Sequence, residues 1–134
     1  MPVVDTDFLF ALSPGDPKHG RVLKHLKKPA GLIAPDTAVL EFQIVLRNRK
    51  REVGKVKMAM LALHEVLSRH RVREASTLTS DLLVLQCELE EKYGLSYFDS
   101  LVAASALALD REIISDDKAF DRVPDLKRIS LSRD

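Results

Sequence analysis

Residues 93–117 read YGLSYFDSLVAASALALDREIISDD, and this stretch decides the fold. Gly94 suits the position just past a helix end, where the backbone turns left-handed, so a helix is expected from about Ser80 to Tyr93. Ser96-x-x-Asp99 resembles a capping box with Asp in place of the usual Glu or Gln. The helix it opens, SLVAASALAL, carries no charge, and a helix without a polar face is buried. Ile113-Ile114-Ser115 then reads as a short strand ending in two acids, Asp116 and Asp117. A buried helix returning to a buried strand is the repeating unit of an α/β fold.

The rest of the chain repeats this alternation. Met1–Phe10 reads MPVVDTDFLF, so Val3 and Val4 form a strand that also ends in acids, Asp5 and Asp7. The loop SPGDP (13–17) and a basic helical stretch from Lys18 to Lys28 follow. Gly31 to Ala34 is a second strand, ended by Pro35. Asp36 is the expected N-cap of a helix running to about Arg51. Val53, Val56, Met60, Leu63 and Leu67 recur at helical spacing, and part of this stripe is expected to pack against another chain. Val72 to Ala75, with Arg73 and Glu74, suits an edge strand, and Arg128 to Leu131 suits a last one. The whole predicts an α/β fold with a mostly parallel sheet covered on both faces.

The 134 residues accommodate one domain, 1–134, and are too few for two with proper cores. Hydrophobic residues make up 46% and charged residues 31%, a globular balance that excludes a disordered chain. No apolar run approaches the roughly 20 residues of a membrane helix, and no basic segment leads into a hydrophobic one, so a cytoplasmic location is expected. The lone Cys87 makes no internal disulfide and, among Leu83, Val84, Leu85 and Leu89, is expected to be a small core residue. The net charge of +1 hides a basic run from Arg47 to Lys57, which holds Arg47, Arg49, Lys50, Arg51, Lys55 and Lys57 against Glu52. Such a run is either a solvated helix face or a surface for a phosphate backbone or an acidic partner.

In a doubly wound sheet, ligands bind beyond the carboxyl ends of the strands where strand order reverses. Asp5 and Asp7 follow one strand there, Asp116 and Asp117 another. Glu41 has Thr37, Ala38, Ile44 and Val45 as helical neighbours, and a carboxylate on so apolar a face needs a cation. Each acid also has a structural explanation: a helix cap for Asp5, a salt bridge for Glu41, the capping box for Asp99. Together they form a set suited to a hard divalent cation. His19, His25, His64 and His70 lack zinc spacing, and no Gly-rich phosphate loop is present.

In this order the segments VVDTDFLF, AVLEFQIVL, YGLSYFDSLVAASAL and IISDDKAF resemble those of the PIN-domain ribonucleases, over nearly the whole chain. The resemblance implies a three-layer α/β/α fold with a central, mostly parallel sheet. It implies a metal site for Mg²⁺ or Mn²⁺ made of Asp5, Glu41, Asp99 and Asp117, supported by the Ser115 hydroxyl. Asp117 takes the family's acid position in Ser115-x-Asp117-x-x-Phe120; Asp116 is a neighbouring, supporting candidate, and Asp7 stands outside the core set. The implied activity is hydrolysis of RNA phosphodiester bonds, in the manner of VapC-type toxins held in check by a small antitoxin, and a homodimer is expected. Two other readings remain open. Asp5-Thr-Asp7 with Asp116-Asp117 imitates a haloacid-dehalogenase-like phosphatase, although Leu9 departs from that motif and Glu41 and Asp99 are left without roles. Alternatively the acids are structural and the basic run docks RNA or a protein in a non-catalytic binding module.

Overall fold

Two valines set the centre of the sheet. In the computed structural model, which describes residues 1–132, β1 is Val3–Val4. Both residues are fully buried. Successive strand residues point to opposite faces, so burial of both means that both faces of the sheet are covered. Val3 pairs with Ile33 of β2 (Ile33–Pro35) on one side and with Ile113 of β4 (Glu112–Ile114) on the other. β3 (Arg73–Ala75) extends the sheet beyond β2, and β5 (Lys127–Ile129) extends it beyond β4. Among the described residues the order is β3-β2-β1-β4-β5 with every pair parallel. The chain steps outward from β1 to β3 and then returns to β4 on the other side of β1. Strand order therefore reverses between β1 and β4, the place where this class of sheet binds ligands.

The connections are helical: α1 (Thr6–Phe10), α2 (His19–Leu26), α3 (Asp36–Asn48), α4 (Val53–Arg69), α5 (Ser80–Tyr93) and α6 (Tyr97–Leu107). α6 is buried on nearly every side, from Ser100 through Ala106, as its uncharged sequence requires. Its small side chains let it sit close to its neighbours. Gly94 has φ +65° and ends α5, a conformation that costs a residue with a Cβ and leaves glycine unstrained. Thr79 caps the other end of α5 through the Leu82 N–H at 3.1 Å. Among the described residues, no helix is long and apolar enough to cross a membrane.

Several local expectations are corrected. Asp36 does not cap α3; its carboxylate accepts from the Thr77 N–H (3.0 Å), the Thr77 hydroxyl (2.7 Å) and the Leu78 N–H (3.1 Å), and so fastens the turn after β3. α3 ends at Asn48, three residues before Arg51, and the basic run spans the exposed turn into α4. Cys87 is exposed. α5 turns Leu82, Gln86 and Leu89 inward, leaving Leu83 and Val84 outside, so an apolar neighbourhood in sequence was no guide to depth. On α4, Val56, Leu63 and Leu67 are core, Met60 is half-buried and Val53 faces solvent, which makes most of that stripe ordinary interior.

Candidate active site

Asp5 leaves β1 and begins α1, and its Oδ1 accepts from the Phe8 N–H at 2.9 Å. The cap expected of it is therefore real, but it uses one oxygen only. Asp5 is 8% exposed. Burial pushes its carboxyl up from the ordinary 3.8 to about 7, against the Ser115 hydroxyl and the Phe8 N–H, with the charges of Asp7 and Asp99 adding to the rise. Ser115, the first residue past β4, is buried; its Oγ also accepts from the Asp117 N–H at 3.0 Å. One hydroxyl thus links the ends of the two central strands.

Glu41 approaches from α3, and the Thr6 hydroxyl donates to its Oε1. Its carboxyl is raised by burial, opposed by Thr6 and reinforced by Asp99 and Asp7. Asp99 lies in the first turn of α6, where its N–H is capped by Ser96 Oγ at 3.2 Å and its side chain is left for the crevice. Burial raises its carboxyl too, and the neighbouring Asp117 charge raises it further. Asp117 starts the short 3-10 helix Lys118–Arg122, capping it through the Ala119 N–H at 2.9 Å.

These side chains line an open crevice of about 670 Å³. Its walls hold Asp5, Glu41, Asp99 and Asp117, and also Asp7, which the sequence reading had set aside. The groups acting on Asp5, Glu41 and Asp99 are other acids and hydrogen-bond donors. Such a cluster stores repulsion that a divalent cation would relieve. Among the described residues no three acids, histidines or cysteines close into a ready-made cage. Oxygen donors alone, spaced around an open crevice, nevertheless match hard cations that keep much of their water. The donor set therefore fits a hard divalent cation.

The model of the PIN domain matches residues 3–126. The chain belongs to the PIN-domain family. PIN domains are nucleases and generally use divalent metal ions. No curated protein sequence matches this chain significantly. Among solved structures, the fold is similar to that of Mycobacterium tuberculosis VapC20, a Sarcin-Ricin loop cleaving toxin, with a TM-score of 0.71 and 21% identity over 92% of this chain and 95% of that one. It is similar to VapBC2 from Rickettsia felis bound to a promoter DNA fragment (TM-score 0.67, 21% identity, 96% of each chain). It is also similar to a toxin-antitoxin complex from Klebsiella pneumoniae (TM-score 0.65, 16% identity, 100% of each chain).

Within this PIN domain Asp116 is the clear departure from the sequence reading. Its side chain turns out of the crevice to Lys18 Nζ at 3.2 Å, the Ser130 hydroxyl at 3.0 Å and the Leu131 N–H at 2.8 Å. Burial pushes its carboxyl up, but Lys18, Leu131 and Ser130 together leave it below the ordinary value. It is a fastening for the segment after β5 and has no place in the acid cluster. Thr6 was missed altogether; the one available signal was its position between Asp5 and Asp7. Arg49 was read only as part of the basic run, yet it reaches the crevice wall.

Proposed function

We propose that this PIN domain is a Mg²⁺- or Mn²⁺-dependent endoribonuclease that hydrolyses RNA phosphodiester bonds, acting in the cytoplasm as the toxin of a toxin–antitoxin pair. The observation that carries the reading is the convergence of Asp5, Glu41, Asp99 and Asp117 on one crevice at the switch point of the sheet. The fold's likeness to VapC20 and to toxin-antitoxin complexes supports the toxin role and a small antitoxin as partner. A homodimer remains the expected assembly.

In this reading Asp5, Asp99 and Asp117 would hold a divalent cation, and Glu41 would either bind it through water or orient the attacking water. When bound, the cation supplies a more acidic water and stabilises charge on the phosphate. The chain's own groups prepare that site. Ser115 supports the ionised form of Asp5 and ties Asp117 to it, while Thr6 fixes the carboxylate of Glu41. Each binding acid is anchored by its own helix start, so the constellation is held before substrate arrives.

The test is cleavage of single-stranded RNA with Mn²⁺ by the parent and by Asp117→Asn, each repeated in chelator. Cleavage by the parent alone, lost in chelator, is the expected result. Cleavage retained by Asp117→Asn would remove the metal-site assignment. RNA binding without cleavage at any Mn²⁺ concentration would make the protein a binding module instead, and a covalent aspartyl-phosphate at Asp5 would revive the phosphatase reading.

A further inference from the structure

Glu41, Val45 and Arg49 all line the crevice at intervals of four residues, the first two on α3 and Arg49 at its C-cap, so one stripe runs from the acid cluster to a cation at the helix end. The rise over eight residues is about 12 Å. Arg49 therefore stands beside the acids and outside their cluster. Its guanidinium lies over the ring of Phe10, 5.1 Å from the centroid, and Phe10 is itself stacked on Phe42 with centroids 4.5 Å apart. Among the described residues no carboxylate pairs with it. The other cation on the crevice wall, Lys18, is committed to Asp116 at 3.2 Å.

A cation–π contact engages the guanidinium with the ring and pairs it with no acceptor, so its fork of N–H donors stays available. That fork matches two oxygens of a phosphate. A crevice walled by six carboxylates, those of Asp5, Asp7, Asp16, Glu41, Asp99 and Asp117, repels a polyanion along its length. A cation held at its rim offsets that repulsion for the strand on either side of the reacting bond. Building on the nuclease reading, we propose that Arg49, held over the Phe10 ring, is a substrate-positioning residue that grips a phosphate of the RNA strand flanking the scissile bond. Lys50 and Arg51 beside it are exposed as Arg49 is, but they line no part of the crevice wall and attract RNA by charge alone.

The test measures binding of a short, fluorescently labelled single-stranded oligoribonucleotide in Mg²⁺, by anisotropy, in an Asp117→Asn background that keeps the probe intact. Arg49→Lys preserves the charge and loses the forked donor, and binding is expected to weaken about tenfold. Phe10→Leu, which leaves Arg49 in place without its platform, is expected to weaken binding comparably, and the double variant no further. Lys50→Gln is expected to weaken it by no more than about threefold. In the otherwise intact chain, Arg49→Lys should raise KM for RNA cleavage and leave kcat nearly unchanged, a split that a folding defect would not give. Arg49→Lys binding as tightly as the background chain, or losing no more than Lys50→Gln, would overturn the proposal. That result beside normal cleavage by the parent leaves the nuclease reading standing. The expected binding losses in a parent that cleaves nothing would support the Arg49 contact and overturn the nuclease reading.

Discussion

Asp116 and Asp117 are adjacent, chemically identical, and placed by the chain in opposite electrostatic worlds. Asp117 joins acids that repel one another around an open crevice. Asp116 faces Lys18, the Ser130 hydroxyl and the Leu131 N–H, and its carboxyl lies below the ordinary value. Successive residues leaving a strand point in opposite directions, so one side chain goes to the site and the next to the scaffold. The difference teaches where this domain uses charge for cohesion and where it tolerates charge that folding alone would reject.

The largest expected effect lies on the crevice side. Asp99→Asn should reduce Mn²⁺-dependent RNA cleavage about a thousandfold or more, about 4 kcal/mol of transition-state stabilisation, because it removes a charge that the cation and the developing phosphate charge both depend on. Near-normal cleavage by this variant would place Asp99 with Asp116, as a structural acid.

The pH dependence of stability in chelator should carry opposite signs on the two sides. Asp5 has its folded value raised from 3.8 to about 7, so its protonated form stabilises the fold fully below pH 4, and that contribution is lost as pH rises to about 7. A shift of this size is worth roughly 4 kcal/mol. The raised carboxyls of Glu41 and Asp99 add in the same direction. Asp116, with its value lowered, contributes stability above the ordinary carboxylate range that is lost as pH falls. Melting of the metal-free protein across pH 4 to 8 should show a decline toward neutrality that flattens in Asp5→Asn. A parent that is no less stable at pH 7 than at pH 5 would contradict the picture of an apo site under repulsion.

Asp116→Asn should cost about 1 to 2 kcal/mol of stability, read from denaturant midpoints, because the charge-assisted bonds to Lys18 and to residues 130 and 131 weaken. Its RNA cleavage should stay within a factor of about two once the protein is folded. Activity lost in proportion to that of Asp99→Asn would move Asp116 into the site.

This contrast also marks what the sequence disclosed. The strand at Val3-Val4, the uncharged α6, the cap at Ser96 and the turn at Gly94 were legible because each rests on local chemistry or periodicity. The acids at the ends of two strands were legible as a set because the switch-point rule says where such ends converge. Which of two neighbouring acids enters the crevice was not, since it depends on the direction in which the chain leaves β4 and on Lys18, nearly a hundred residues away in sequence. Asp36 was misassigned for the same reason: its partners, Thr77 and Leu78, come from another connection. Cys87 failed because α5 has apolar residues on both its buried and its exposed faces, so composition carried no direction. Asp7 and Arg49 gained their place only when α1 and α3 were set side by side around the crevice.

The most direct test of the account is the change in melting temperature on adding Mn²⁺ at pH 7.5, measured side by side for the parent, Asp117→Asn and Asp116→Asn. Anything that binds the folded chain alone stabilises it by mass action, whatever its RNA target. The account predicts a clear rise for the parent, an equal rise for Asp116→Asn from a lower starting point, and little or none for Asp117→Asn. An equal rise in all three, or a rise lost in Asp116→Asn and kept in Asp117→Asn, would contradict it.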